Sequence, residues 1–208
     1  MYSSSTVLIH PFCSAKCKHC PYGNLQHGAV REVSDIICEI ENKKEKLILI
    51  SGGEPFEYPY LDVFLSQLSK IDKIFRIATG GHIPIHSLIQ QLKRMKNFCG
   101  ISLGTDILIE ERNFNLAHMA TWTKNLDLLK SESINYSITI TAMENSAICS
   151  LLQRLLFYNA NPDFITLSEV EGNPIEDEEW RELLGQIDDA FSGKKIFVGF
   201  KNSTHAMR

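Results

Sequence analysis

The sequence lacks the features that would insert a protein into a membrane, export it from a reducing compartment or attract it to a nucleic acid. No apolar run approaches the ~20 residues that span a bilayer, and residues 1–5 lack the basic and apolar regions of a signal peptide. Basic residues are not in excess, since 21 Lys and Arg face 25 Asp and Glu for a net charge of −4. We therefore expect a cytoplasmic protein with no membrane or nucleic-acid partner.

Internal repeats and low-complexity linkers are also absent. A length of 208 residues is ordinary for one domain. We predict a single domain over residues 1–208, with a core over about 5–170 and a carboxyl-terminal helix and short strand over 175–208. Three of the six cysteines are clustered, whereas Cys38, Cys99 and Cys149 stand singly within apolar patterns. This distribution favours free thiols in a reducing compartment over disulfides.

Short β-branched runs alternate with longer segments of helical period along most of the chain. This alternation predicts βαβ units and a parallel sheet, an α/β fold. The predicted strands are 6–10, 47–51, 74–79, 100–104, 136–141, 164–168 and a short closing strand, 196–200. Apolar residues between them recur at helical spacing, as at Val33, Ile36 and Ile40. The sequence therefore predicts six strand–helix units before the closing strand.

Three cysteines, Cys13, Cys17 and Cys20, lie within eight residues directly after the first predicted strand. Thiolate is a soft ligand that selects iron–sulfur clusters, zinc or copper. A cubane cluster held by only three cysteines has one iron without a protein ligand, which is free for a substrate or cofactor. The alternative is a structural Cys3His zinc site in which His27 is the fourth ligand.

A second motif, Ser51-Gly52-Gly53-Glu54-Pro55, directly follows the second predicted strand. Two glycines allow the backbone to pass close to a ligand and to take dihedrals that a Cβ would forbid. The amide groups and Glu54 can meet the ammonium end of an amino acid. The alternative is a plain turn before a helix.

The two motifs resemble those of the radical S-adenosylmethionine (SAM) enzymes, Cys-x3-Cys-x2-Cys after the first strand and Gly-Gly-Glu-Pro after the second. The resemblance implies a partial (β/α)6 TIM-like barrel and a [4Fe-4S] cluster on the three cysteines. Thr79-Gly80-Gly81 resembles the Thr-Asn-Gly often found at the third strand's end, without its Asn. The residues that the resemblance assigns to SAM are His19, Gly52, Gly53, Glu54, Pro55, Thr79 and Ser102. His19 stands where the family usually has Tyr or Phe near the adenine.

The activity implied by the resemblance is reductive cleavage of SAM. An external one-electron reductant such as flavodoxin or ferredoxin supplies the electron, and the resulting 5′-deoxyadenosyl radical takes a hydrogen atom from the substrate. No cysteine follows Cys149, so we expect a single cluster. Compact enzymes of this kind include peptide-modifying maturases, glycyl-radical activases and small-molecule enzymes of the carboxy-deazaguanine synthase type. We favour a peptide or protein substrate; the non-enzyme alternative is a zinc or iron–sulfur binding module.

The catalytic residues are less constrained. Chemistry in such barrels sits at the carboxyl ends of the strands, where Glu169 and Glu171 follow the sixth strand and can attract a basic peptide or contact the adenine or ribose. Cys149 can give a hydrogen atom to a substrate radical, or else it packs as a small apolar residue. His10 is expected to tune the cluster through hydrogen bonding, whereas His82 either touches the substrate or only occupies a loop.

Overall fold

The computed structural model describes residues 3–17, 20, 29–109, 115–141, 145–169 and 177–200, with backbone alone for 145, 146, 169 and 198–200. The chain forms two compact units, residues 1–135 and 136–208. The single domain expected from the sequence stays a prediction. Among the described residues, no helix has both the length and the apolar character of a membrane span.

The first unit contains four parallel strands, each paired with the next in chain order. The strands are β1 Ser4–Leu8, β2 Leu47–Ser51, β3 Ile74–Thr79 and β4 Phe98–Gly104. The helices are α1 Val33–Asn42, α2 Leu61–Leu68, α3 His86–Arg94 and α4 Leu116–Ser131. Short 3-10 turns, Pro55–Glu57 and Asp106–Leu108, follow β2 and β4. This is the βαβ pattern that the hydrophobic periodicity predicts.

One face of the strands in the first unit carries the buried core. Side chains alternate between the two faces of a sheet, and one buried row crosses all four strands in register: Val7, Ile50, Ile77 and Ile101, each at most 1% exposed. On the opposite face, Leu49 and Arg76 are in register and only partly buried. The core of this unit therefore lies on the first face, and the second face is the more open one.

The helices of the first unit bury the residues that their spacing predicts. In α2, Leu61, Phe64, Leu65 and Leu68 are buried and recur three or four positions apart. Asn115 caps α4, because its side chain accepts from the backbone N–H of Ala117 at 2.8 Å. An apolar stripe then runs along α4 from Trp122 to Leu129.

The second unit contains three parallel strands and two helices. The strands are β5 Tyr136–Thr141, β6 Phe164–Glu169 and β7 Lys195–Phe200, and the helices are α5 Asn145–Phe157 and α6 Asp177–Ala190. Strand β6 pairs with both of the other strands. Its Ile165 and Leu167 pair with Ile138 and Ile140, and all four are fully buried. All seven predicted strands are present, shifted by at most two residues at either end.

Two neighbouring positions of α2 test this burial pattern. Phe64→Ala removes a fully buried ring, so we expect the free energy of unfolding to fall by ~3–5 kcal/mol. Val63→Ala is the matched control, because Val63 is 52% exposed and its replacement should change stability by less than ~0.5 kcal/mol. Urea denaturation followed by circular dichroism measures both. Equal losses in the two variants would contradict the assignment of Phe64 to the core.

Candidate functional site

The loop after β1, residues 9–20 (the cysteine loop), is held against the loop after β2, residues 51–55 (the glycine loop). Residues 18 and 19 of the first loop lie outside the described part of the chain. Three backbone hydrogen bonds join the loops: Ile9 N to Ser51 O (2.9 Å), Gly53 N to His10 O (2.7 Å) and Glu54 N to Phe12 O (2.7 Å). These bonds continue the β1–β2 pairing beyond the strand ends and fix the backbone that precedes Cys13.

The two glycines are explained by the close approach of the cysteine loop. A Cβ on Gly53 would lie 1.8 Å from Phe12 O, and one on Gly52 would lie 2.5 Å from His10 O. Gly52 also has φ +140°, a conformation that L side chains rarely adopt. The sequence predicts that these glycines admit a ligand, and this stays a prediction; the structure shows that they admit the backbone that leads to the first cysteine.

The three cysteines are free thiols at partly exposed positions. The Cys20 N–H donates to Cys17 O at 3.0 Å, and the Ser14 N–H donates to Oε2 of Glu57 at 2.8 Å. Burial, together with the carboxylates of Glu54 and Glu57, raises the pKa of the Cys13 thiol to about 11. Because a metal-bound thiol is deprotonated outright, a metal centre is the group that would convert Cys13 to a thiolate ligand.

Glu54 is a buried carboxylate that ties the glycine loop to the end of β3. Its Oε1 accepts from the Phe56 N–H at 3.1 Å, and its Oε2 accepts from Thr79 Oγ1 and the Gly80 N–H, both at 2.9 Å. Burial raises its pKa to about 7, against the effect of these three donors. Both carboxylate oxygens therefore have protein partners. The contact of Glu54 with the SAM ammonium group stays a prediction.

The loop after β3 is shaped by Thr79 and by helix α4. Thr79 Oγ1 accepts from the Gly81 N–H at 2.9 Å in addition to its bond with Glu54. Gly81 has φ +79°, and a Cβ there would lie 2.5 Å from the ring of Trp122. The hydroxyl of Thr79 is thus engaged within the protein, and its expected contact with SAM stays a prediction.

Asn125 in α4 is a positioning residue that the sequence analysis missed. Its Nδ2 donates to Gly81 O at 2.9 Å and to Ile83 O at 2.8 Å, while its Oδ1 accepts from the Ile85 N–H at 3.2 Å. The side chain is buried, so these bonds fix the whole β3–α3 loop. The available signal was an amide within the apolar stripe from Trp122 to Leu129.

His82 lies at the centre of a polar group beside Cys13. One ring nitrogen, Cys13 Sγ and a carboxylate oxygen of Glu57 all lie within 4.8 Å of one another. His82 is 4% exposed, and neither ring nitrogen has a hydrogen-bond partner among the described residues. Nδ1 is 3.6 Å from Oε2 of Glu54, and the His118 ring centroid is 5.2 Å away. Burial lowers the pKa of His82 to about 4, so the ring is neutral near pH 7.

His10 begins the cysteine loop and is also buried. Its Nε2 donates to Glu54 O at 2.5 Å, and burial lowers its pKa, so the ring is neutral. Nδ1 has no hydrogen-bond partner among the described residues. The rings of Phe12 and Tyr58 lie 6.1 and 5.7 Å from it. The expected tuning role of His10 stays a prediction.

The remaining candidates are dispersed. Ser102 is 8% exposed and pairs in register with Ala78, next to the end of β3. Cys149 is exposed on α5, and its thiol donates to Oε1 of Gln186 at 3.5 Å. The alternative of a buried, packed Cys149 is therefore wrong, while its role as a hydrogen donor stays a prediction. Outside the described residues lie His19, His27 and Glu171, together with the side chain of Glu169.

Comparison with known proteins identifies one family. The model of the Radical SAM superfamily matches residues 7–148 of this chain, which include both loops and the end of β3. No curated protein sequence matches the chain. The family match over residues 7–148 covers more than half of the sequence.

Several solved structures share the fold. SuiB of Streptococcus suis bound to the precursor peptide SuiA has 15% identity and a TM-score of 0.74, over 94% of this chain and 48% of that one. The protein anSMEcpe with bound AdoMet and Kp18Cys peptide has 14% identity and a TM-score of 0.69, over 94% and 64%.

TYW1 with a lysine-pyruvate adduct has 16% identity and a TM-score of 0.61, over 91% of this chain and 73% of that one. The chain spans about half the length of SuiB. The likeness confirms the predicted fold class, the α/β partial barrel of the radical SAM core.

The packing of the two loops predicts the effect of a single methyl group. Gly53→Ala places a Cβ against Phe12 O, so we expect the free energy of unfolding to fall by ~1–3 kcal/mol or more. Gly185→Ala is the matched control, since nothing lies within 4 Å of a Cβ there. In the interior of α6 it should raise stability by ~0.5–1 kcal/mol. Denaturation curves for the two variants would contradict the loop packing if Gly53→Ala behaved like Gly185→Ala.

Proposed function

The chain belongs to the Radical SAM superfamily, and we propose that it reductively cleaves SAM at a [4Fe-4S] cluster held by Cys13, Cys17 and Cys20. The observation that carries the proposal is the hydrogen-bonded pair of loops. The loop that bears the thiols is fixed to the glycine loop by backbone bonds, and the glycines have no room for a side chain. Each family motif is thus supported by a defined contact with the other.

The residues around Cys13 fit a cluster that bears sulfide. A neutral imidazole carries one N–H, and at His82 neither ring nitrogen has a partner among the described residues. A buried donor without an acceptor is costly, and the sulfurs of a cluster are acceptors. The raised pKa of Cys13 likewise fits a thiol that becomes a thiolate when metal binds. The donor set therefore suits an iron–sulfur cluster.

Cys13, Cys17 and Cys20 would hold the cluster, which would supply the one-electron chemistry for cleavage of SAM and removal of a hydrogen atom from the substrate. The chain's own residues hold and shield these groups. The glycine loop presents its backbone beside the cysteine loop, and Glu54 keeps the end of β3 in place through Thr79 and Gly80. The rings of Phe12 and Tyr58 pack around His10 and keep water from that side.

SAM contacts are proposed at the ends of β2, β3 and β4. The backbone of residues 52–55 is the main candidate, since the side chain of Glu54 is already bonded to three protein donors. Thr79 and Ser102 complete this edge, because β3 and β4 pair in register as far as these strand ends. His19 is the residue proposed to stack on the adenine.

We further propose a peptide or protein substrate. The support is that two structures of the same fold hold peptides, SuiB with SuiA and anSMEcpe with Kp18Cys. A non-peptide substrate is the second candidate, which the lysine-pyruvate adduct in TYW1 favours. Glu169 and Glu171 would attract a basic segment of a peptide. An external one-electron donor such as flavodoxin or ferredoxin completes the system.

The cluster assignment predicts a sharp division among the six cysteines. Alanine at Cys13, Cys17 or Cys20 should remove most of the iron and all SAM cleavage, because a cubane with two protein ligands loses its stability. Alanine at Cys38 or Cys99 should leave both unchanged, and alanine at Cys149 should leave the iron unchanged. Iron per chain after anaerobic reconstitution, and 5′-deoxyadenosine formed with dithionite and SAM, are the measurements. Iron that remains bound to a variant that lacks Cys13, Cys17 and Cys20 together would refute the assignment, as would recovery of zinc as the only metal.

The substrate class predicts a mass change in a peptide. Peptides encoded beside this protein, incubated with the reconstituted protein, SAM and dithionite, should show a mass shift that depends on all three reagents. The Cys17→Ala variant is the control for chemistry by dithionite alone. Mass spectrometry that finds 5′-deoxyadenosine formation without modification of any such peptide would favour the non-peptide candidate.

A further inference from the structure

Two polar side chains beside Cys13 have no part in the proposed mechanism. His82 comes from the loop after β3, and Glu57 ends the 3-10 turn after β2. A ring nitrogen of His82, a carboxylate oxygen of Glu57 and Cys13 Sγ lie within 4.8 Å of one another. Neither residue belongs to the family motifs that the sequence analysis identified.

His82 provides a hydrogen-bond donor, whereas Glu57 provides a negative charge. The His82 ring is 4% exposed, and its N–H lacks an acceptor among the described residues whichever nitrogen carries the hydrogen. Oε2 of Glu54 lies 3.6 Å from Nδ1 and already accepts from Thr79 and Gly80. Glu57 brings a negative charge, held in place by the Ser14 N–H at 2.8 Å.

We propose that His82 donates a hydrogen bond to a sulfur of the cluster at Cys13 and raises the reduction potential of that cluster, whereas the carboxylate of Glu57 lowers it. The inference rests on the proposed function. It assigns to both residues the tuning of electron transfer, the step that precedes any substrate chemistry.

The directions of the two shifts in reduction potential follow from the charge of the reduced cluster. Reduction transfers one electron from an external donor to the cluster and makes it more negative by one charge. A hydrogen-bond donor to sulfur stabilises that added charge, so it raises the potential. A carboxylate next to the same sulfur repels the added charge, so it lowers the potential. His82 and Glu57 therefore act in opposite directions on one equilibrium.

The experiment is an anaerobic redox titration of the reconstituted protein with dithionite, followed by electron paramagnetic resonance of the reduced cluster. His82→Phe replaces the ring with one that has no N–H, and the potential should fall. Glu57→Gln removes the charge and retains an acceptor for Ser14, and the potential should rise. His82→Gln restores a side-chain N–H and should lie closer to the wild type than His82→Phe. The matched control is His86→Phe, since His86 is exposed at the start of α3 and its loss should shift nothing.

Iron per chain separates the possible outcomes. Wild-type potential in a fully loaded His82→Phe protein would overturn the inference and leave the proposed function intact. If His82→Phe fails to load iron, the inference is decided by His82→Gln and Glu57→Gln, and a fall in potential for Glu57→Gln overturns it. Absence of a cluster in the wild type would refute the proposed function itself. A Cys17→Ala, Cys20→Ala double variant that keeps one metal ion, and loses it when His82→Phe is added, would also overturn the inference. That result would indicate a single-ion site at Cys13, Glu57 and His82.

Discussion

The site depends on a backbone contact that tolerates no Cβ. The carbonyl of Phe12 lies where the side chain of residue 53 would begin, and the same approach allows Gly53 N and Glu54 N to bond the cysteine loop. Strand pairing alone would end at β1 and β2. The two glycines extend it to the residue before Cys13, so hydrogen bonds that continue the sheet hold the backbone next to the first cysteine.

Glu54 extends this hydrogen-bonded network to the end of the third strand. Burial of a carboxylate is costly, and the raised pKa of Glu54 reflects that cost. Three donors from two different loops compensate it, of which Thr79 Oγ1 and the Gly80 N–H belong to the end of β3. Asn125 then fixes the rest of the β3–α3 loop from helix α4. The polar edge of the first unit is therefore one connected network, and His82 is placed by it although His82 itself has no hydrogen bond among the described residues.

The α/β class was predictable because it follows from the order of apolar runs and helical segments, whereas the partial barrel was expected only from the resemblance to the family. Short β-branched runs mark strands such as β2 and β3, and spacing at three and four marks α2, so all seven strands were found. The site was predictable only where it coincides with contiguous motifs. Glu57 and Asn125 act through contacts with residues 43 and 44 positions away in the sequence, and no local pattern records such a pairing. The packing of the glycines against the cysteine loop was missed for the same reason, since the sequence shows that a Cβ is missing but not what fills its place.

The electrostatics of the site favour a cationic cofactor. Burial and the carboxylates of Glu54 and Glu57 raise the pKa of Cys13, so this pocket disfavours an isolated thiolate. In the proposed function, iron would reverse the balance by direct ligation, and SAM would bring a sulfonium and an ammonium charge, which carboxylates favour. A carboxylate that disfavours free thiolates in the cysteine loop would therefore favour the same loop with iron and SAM bound. Neutral His82 fits this scheme, because it can offer a hydrogen-bond donor to sulfur without adding positive charge that would compete with the cofactor for the same carboxylates.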